Sequence, residues 1–189
     1  MLNGTMTAHP NDVIGFWRQA GPEKWFKKVA AFDEAIRLKF EPTHHRAARG
    51  EYDGWAETAE GALALLILLD QFPRNLYRRS AHAFATDPKA RAIARAAIAE
   101  GFDRATEPLL RPFFYLPFEH SEDLRDQEAG VALCERLAAE TGDVETLKWA
   151  KIHRDIIVRF GRFPHRNPML GRATTADEQA FLDEGGFGG

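Results

Sequence analysis

An all-α fold is predicted for this chain: eight or nine antiparallel helices joined by short connectors. Three observations predict it. Residues that start and stop helices recur along the whole sequence, apolar residues repeat with helical spacing, and no stretch alternates with period two for long enough to make a strand. No fixed-length repeat marks tandem solenoid units.

Taken in order, Asp12 is placed to cap a short first helix through Trp17, before Gly21-Pro22. From about Ala30, Phe32, Ile36 and Phe40 share one face, and Pro42 is placed to open a further segment to Ala48, before Gly50. Thr58 caps the next helix, in which ALALLILL (62–69) is apolar on every side, as befits a helix at the centre of the packing. Asp87-Pro88 is a cap followed by Pro at the first helical position, with Gly101 as the stop. Thr106 opens TEPLLRPFFYLPF, in which Pro112 should bend the helix and Pro117 end it. Ser121 caps a helix to about Ala139, and Asp143 caps one to Phe160, stopped by Gly161. Thr175 with Glu178 has capping-box spacing for a last short helix.

One domain over residues 11–183 is expected, with a flexible N-terminus (1–10) and a flexible tail (184–189). The 14 Phe residues supply a large core. Cys134 is the single cysteine, so a disulfide-stapled scaffold is excluded, and a reducing, cytoplasmic setting is expected. It sits in a helical stretch without an acid–base partner at recognisable spacing, which makes it core filler rather than a reactive thiol. The N-terminus lacks a basic region followed by an apolar one. The longest apolar run, Ala62 to Leu69, falls well short of the roughly 20 residues a bilayer span needs, so no membrane partner is expected.

Charge is unevenly spread. From Lys148 to Arg172 seven Lys or Arg face Asp155 alone, and a formal +6 there leaves −9 for the rest of a chain whose total is −3. Those basic groups either neutralise carboxylates elsewhere in the fold or form an anion site. A nucleic-acid partner is not expected, because helical periodicity sends the apolar half of this window into the core and the chain is acidic overall.

Several polar residues fall on core-facing arcs. In the helix from Asp143 to Phe160, His153 sits amid a stripe of Trp149, Ile152, Ile156, Ile157 and Phe160. Trp149, Ile156, Phe160, Leu65 and Leu68 are all expected to be buried. Asp123 and Gln127 share the inward arc of the preceding helix with Val131, and Asp70 lies beside Leu66 and Ile67. A buried carboxylate needs a cationic partner, and Arg74, Arg162 and Arg166 are the candidates. If these helix ends meet, Asp70, Gln71, Arg74, His120, Asp123, Gln127, His153, Arg162, His165 and Arg166 line one polar cavity. The alternative is a set of separate caps and ion pairs. One echo stands out: Phe72-Pro-Arg-Asn75 and Phe163-Pro-His-Arg-Asn167 both follow an apolar helix, which implies two similar helix exits.

The segments LLDQFPRNLY (68–77), FFYLPFEHSEDLRDQE (113–128) and HRDIIVRFGRFPHRN (153–167) resemble the hallmark segments of a bacterial family of unknown function, domain-of-unknown-function family 924. GFWRQAGPEKWFKKVAAFDEAI (15–36) resembles its N-terminal signature, so the likeness spans about residues 11–183. The resemblance implies a tetratricopeptide-like helical fold and brings no activity, cofactor or catalytic residue. Pro112 departs from the family pattern, where a helix-compatible residue is more usual.

Known chemistries are mostly excluded. A di-iron bundle needs two Glu-x-x-His pairs, and only Glu41 with His44 has that spacing, with Pro42 between them. His-Glu-x-x-His, paired Cys for zinc, a Gly-x-Ser-x-Gly elbow and a phosphate-cradling Gly loop are all absent, so neither metal nor cofactor is expected. The adjacent His-Asp pair of helical phosphohydrolases is broken by Arg154 between His153 and Asp155. Two functions survive. One is a binding module whose Arg74, Arg162 and Arg166, with Gln71, Gln127 and His165, hold a small anionic molecule or a peptide carboxylate. The other is a metal-independent hydrolase or lyase, with His153 or His120 as base, Asp70 or Asp123 orienting it, and arginines stabilising developing negative charge.

Overall fold

The computed structural model describes residues 8–188. Most of the expected N-terminal segment, and Gly189, lie outside the described residues. The described chain is all helical, without a strand. In order its helices are α1 (Pro10–Ala20), α2 (Pro22–Trp25), α3 (Ala30–Ala48), α4 (Ala59–Leu66), α5 (Phe72–Leu76), α6 (Asp87–Ala99), α7 (Phe102–Ala105), α8 (Leu116–Glu119), α9 (Leu124–Thr141), α10 (Val144–Phe160) and α11 (Ala176–Asp183).

The array is built around α4. This helix runs through one π-helical turn, Ile67–Gln71, into α5, and its residues from Gly61 to Phe72 are all buried. α1 and α6 pack on α4, α3 on α5, and α8 on α9, while α9 and α10 form a hairpin joined at Gly142-Asp143. The main cluster joins Trp17, Phe32, Phe40, Phe72 and Phe113 to the α4 leucines; a smaller one gathers Ile156, Ile157 and Phe163. Gly61 allows the entry turn to close. A Cβ there would lie 2.0 Å from the carbonyl oxygen of Trp55, a backbone atom that cannot swing aside.

Several start signals act where expected. Thr58 Oγ1 accepts from Gly61 N–H at 3.1 Å, Asp143 accepts from Thr146 N–H at 3.0 Å, and Thr175 with Glu178 forms a reciprocal capping box. Others do not. His9, not Asp12, caps α1, and Asp12 completes its capping box from the third helical position. Pro42 lies inside one continuous α3, not at the start of a new segment. Asp87 is the first helical residue of α6 and not its cap, because its carboxylate is held by Arg74. Thr106 opens no helix; Pro112 and Pro117 each lie in the first turn of a short helical segment, where a missing N–H costs nothing, so Pro117 starts α8 instead of ending a longer helix. Asp123 caps α9, while Ser121 donates to Asp126 at 2.7 Å.

The expected burial of Leu65, Leu68 and Ile156 is met. Trp149 is 44% exposed and Phe160 only partly covered, because α10 is the outer member of its hairpin and that flank is met only in part, by Phe181 of the short helix α11 on Phe160. Phe187, in the expected 184–189 tail, is tied to that flank: its ring lies 4.4 Å from that of His153 and 6.2 Å from that of Trp149.

Candidate functional site

Asp70, Arg74, His120, His153 and Arg166 converge from three separate stretches of chain. The π turn delivers Asp70, fully buried, and α5 begins one residue after Gln71. Asp70 Oδ1 lies 2.8 Å from His120 Nδ1 and 3.6 Å from Arg74, and Oδ2 accepts from Gln71 Nε2 at 2.6 Å. The expected arginine partner of Asp70 is therefore Arg74. Arg74 also donates to the Asp70 carbonyl and, through both terminal nitrogens, to Asp87 at 3.1 and 3.0 Å.

His120 and Glu119 are positioned by the short helix α8. Gln127 Nε2 donates to the carbonyls of Glu119 and Ser121, both at 2.6 Å, and so clamps the turn between α8 and α9. Gln127 thus fixes the site's backbone, while its Oε1 is buried without a partner. On the far side, Glu119 Oε1 lies 3.1 Å from His153 Nδ1, which also faces the Trp149 carbonyl at 2.9 Å. The two imidazole rings are 6.5 Å apart.

Electrostatics assigns protons to this cluster. Burial opposes ionisation of Asp70, yet His120 and Arg74 outweigh it and hold the carboxyl down at about 2. Burial, with Arg74, lowers His120 below its ordinary range, so a neutral ring donates Nδ1–H to the ionised Asp70 and keeps a free lone pair on Nε2. Burial, reinforced by the charge of Asp70, pushes Glu119 up to about 8 against the pull of Arg74. Burial depresses His153 to about 3, so Glu119 and His153 meet as two neutral groups and not as an ion pair. Arg166 is lowered to about 10 by burial and by Arg74, and remains a cation at neutral pH.

Arg166 is 6% exposed and sandwiched between the rings of Phe84 and Phe163, at 4.5 and 4.4 Å. Among the described residues its one hydrogen bond goes to the His120 carbonyl at 3.0 Å; Asp87 lies at 4.0 Å, and Nε is buried without a partner. His165 stands beside it, its Nδ1 also unpartnered, and burial followed by the charge of Arg166 lowers it to about 3.

Two sequence candidates stay outside. Asp123 is exposed and caps α9, accepting from Arg125 N–H at 2.8 Å. Arg162 turns away to Glu178 of α11, at 2.5 and 2.8 Å. Most of the basic window follows Arg162: Lys151 pairs with Glu135, Arg154 with Asp155 and Arg172 with Glu122. Pairing with carboxylates thus accounts for most of its charge; Arg159 stacks instead on Phe160 and Phe181, and among the described residues Arg166 has only a long carboxylate contact, to Asp87 at 4.0 Å. Cys134 is buried, with its thiol pushed up to about 12 by burial, and so is inert.

Glu119, Asp87 and Phe84 are site residues that the sequence reading missed. Glu119 adjoins His120, but with Pro117 taken as a helix end it had no helical face on which to be placed. Asp87 was assigned to capping. The repeated Phe-Pro segments were the available signal, since they bring Arg74 and Arg166 to the same Asp87 oxygen, at 3.0 and 4.0 Å; only the second is a helix exit, because Phe72-Pro73 starts α5 within the continuing rod.

No group of three or more His, Cys, Asp or Glu side chains suited to a metal ion occurs among the described residues, and no described helix is long and apolar enough to cross a membrane. The profile of a bacterial protein family of unknown function, DUF924, matches residues 13–186, and the chain belongs to that family. It is similar to the solved structure of ATU0120 from Agrobacterium tumefaciens, a protein of unknown function. The two are 50% identical with a TM-score of 0.86, over 93% of this chain and 97% of that one. A comparison with curated proteins returns no match.

Proposed function

We propose that the protein is a binding module of tetratricopeptide-like architecture that takes a small anionic molecule, a carboxylate or a phosphate, at Arg166 beside the Asp70–His120 pair. The observation that carries this reading is the state of Arg166. A buried guanidinium with five donors and one hydrogen bond among the described residues is poised for an acceptor from outside, and bidentate carboxylate or phosphate geometry matches its fork. Arg74 is already committed to Asp87 and Asp70, so it supports the site's field and holds its walls. A thermal-shift screen of phosphorylated and carboxylated metabolites tests the reading. A ligand at 100 times its dissociation constant stabilises the folded state by roughly 2.7 kcal/mol. The shift should vanish in Arg166→Ala and persist in Arg162→Ala; persistence in both refutes the assignment.

A second reading, a metal-independent hydrolase or lyase, is favoured by the 2.8 Å contact between Asp70 and His120. An imidazole oriented through Nδ1 by an ionised carboxylate presents Nε2 as a general base, with Arg166 near enough to stabilise an anion formed beside it. His120→Gln should then abolish turnover of a screened ligand while leaving its binding measurable.

A further inference from the structure

Phe187 is an aromatic ring lodged against the functional cluster by a glycine turn. Residues 185–189 read Gly-Gly-Phe-Gly-Gly. Gly185 takes φ +82° at the end of α11, and Gly186 donates to the Phe181 carbonyl at 2.9 Å, in the manner of a Schellman motif. A Cβ on Gly186 would come within 2.5 Å of that same carbonyl, so the turn depends on glycine at both places. It aims Phe187 at two imidazoles, 4.4 Å from that of the buried His153 and 5.2 Å from that of the half-buried His165. Beyond Gly186 no backbone hydrogen bond holds the described residues, so ring contacts alone retain Phe187.

The ring is also a partition. On its outer side lies an open, mostly apolar groove of about 280 Å³, floored by Ile152, Ile156, Phe160 and Phe181 and edged by Asp155 and Arg159. On its inner side His153 and His165 both contact Phe163, whose face carries the Arg166 guanidinium at 4.4 Å. The groove alone falls just short of the roughly 300 Å³ at which small-molecule sites begin. A benzene-sized ring occupies a cavity of about 150 Å³, so release of Phe187 would bring the groove into the ordinary range and extend it to the imidazoles beside Arg166.

Taking Arg166 as the anion anchor of the proposed function, we infer that Phe187 fills an aromatic subsite continuous with it, and that the ligand is an anion bearing an aromatic ring which displaces Phe187. The walls nearest Phe187 fit such a ring: imidazoles and phenyl rings meet it by edge and face.

The test uses the full chain and three probes: inorganic phosphate, phenyl phosphate and phenol, with cyclohexanol as a non-aromatic control, in titration calorimetry. Phe187→Ala should bind phenol at least tenfold more tightly than wild type and should prefer it to cyclohexanol, with the helical circular dichroism unchanged. Arg166→Ala/Phe187→Ala should keep the phenol affinity and lose the extra affinity of phenyl phosphate over phenol. Equal phenol affinity in wild type and Phe187→Ala, with the fold intact, overturns the inference even where phosphate binds. A tighter phenol complex without any contribution from phosphate instead overturns the anion reading and leaves the aromatic subsite standing. If circular dichroism shows Phe187→Ala misfolded, Phe187→Leu takes its place, and the same gain in phenol affinity is required of it.

Discussion

Glu119→Gln should change how stability depends on pH more than it changes stability itself. Glu119 is buried beside the ionised Asp70 and is held near 8 in the folded chain, against an ordinary value of 4.5. Between these limits the folded state keeps a proton that the unfolded state has lost, so stability is full below about pH 4.5 and is lost as pH rises through 8. From pH 6 to pH 8.5 the unfolded carboxyl is already ionised, and the integrated loss is about 2.5 kcal/mol. Glutamine has the shape of the protonated acid and cannot ionise. The variant should therefore lie within about 1 kcal/mol of wild type near pH 4, be the more stable protein by about 2 kcal/mol at pH 6, and extend that lead by pH 8.5. Urea unfolding followed by circular dichroism at half-unit pH intervals measures both slopes. Parallel curves would show that Glu119 is ionised at neutral pH, and the proton assignment of the whole cluster would fail with it.

Leu68 is completely buried in the central helix, and Leu68→Ala should cost on the order of 2–5 kcal/mol in denaturant unfolding; a loss below about 0.5 kcal/mol would contradict the central place of that helix. Gly61→Ala drives a methyl group into the Trp55 carbonyl and should cost about 1–3 kcal/mol or more, visible as a lowered melting temperature; an unchanged melting temperature refutes the close approach. His165 is depressed to about 3, so the unfolded chain takes up a proton near 6.5 that the folded one refuses. Stability owed to this group is present above 6.5 and lost on acidification, and His165→Gln should flatten the acid limb between pH 6.5 and 4. An unaltered limb would mean that His165 titrates in the open.

The helices were legible where a local signal decides the outcome. Thr58, Asp143 and the Thr175–Glu178 pair each satisfy a neighbouring backbone group, and their spacing alone is enough to show it. Capping residues were misread where another side chain competes with the backbone for them. Asp87 is claimed by Arg74, thirteen residues away along the chain, and Ser121 by Asp126. Convergence of Asp70, His120 and His153 was legible because burying polar groups singly is costly, which favours a shared cluster. The exclusion of Arg162 was not, since it depends on where α11 packs and so on the Glu178 carboxylate. Nor was Glu119 legible, because proline marks a helix boundary without saying whether a helix begins or ends there.

The π turn at Ile67–Gln71 separates two parts of one helical rod. A π turn holds one more residue than an α turn, so everything after it is offset by about 100° from the phase of what precedes it. The leucine-rich half sets how the rod lies among its neighbours, and the dislocation independently sets which way Asp70, Gln71 and Arg74 look. Removal of a single residue from this turn would leave α4 seated as it is while rotating the acid away from His120. Scaffold and chemistry are thus geared through one extra peptide unit, and a lineage can retune either side of that joint without disturbing the other.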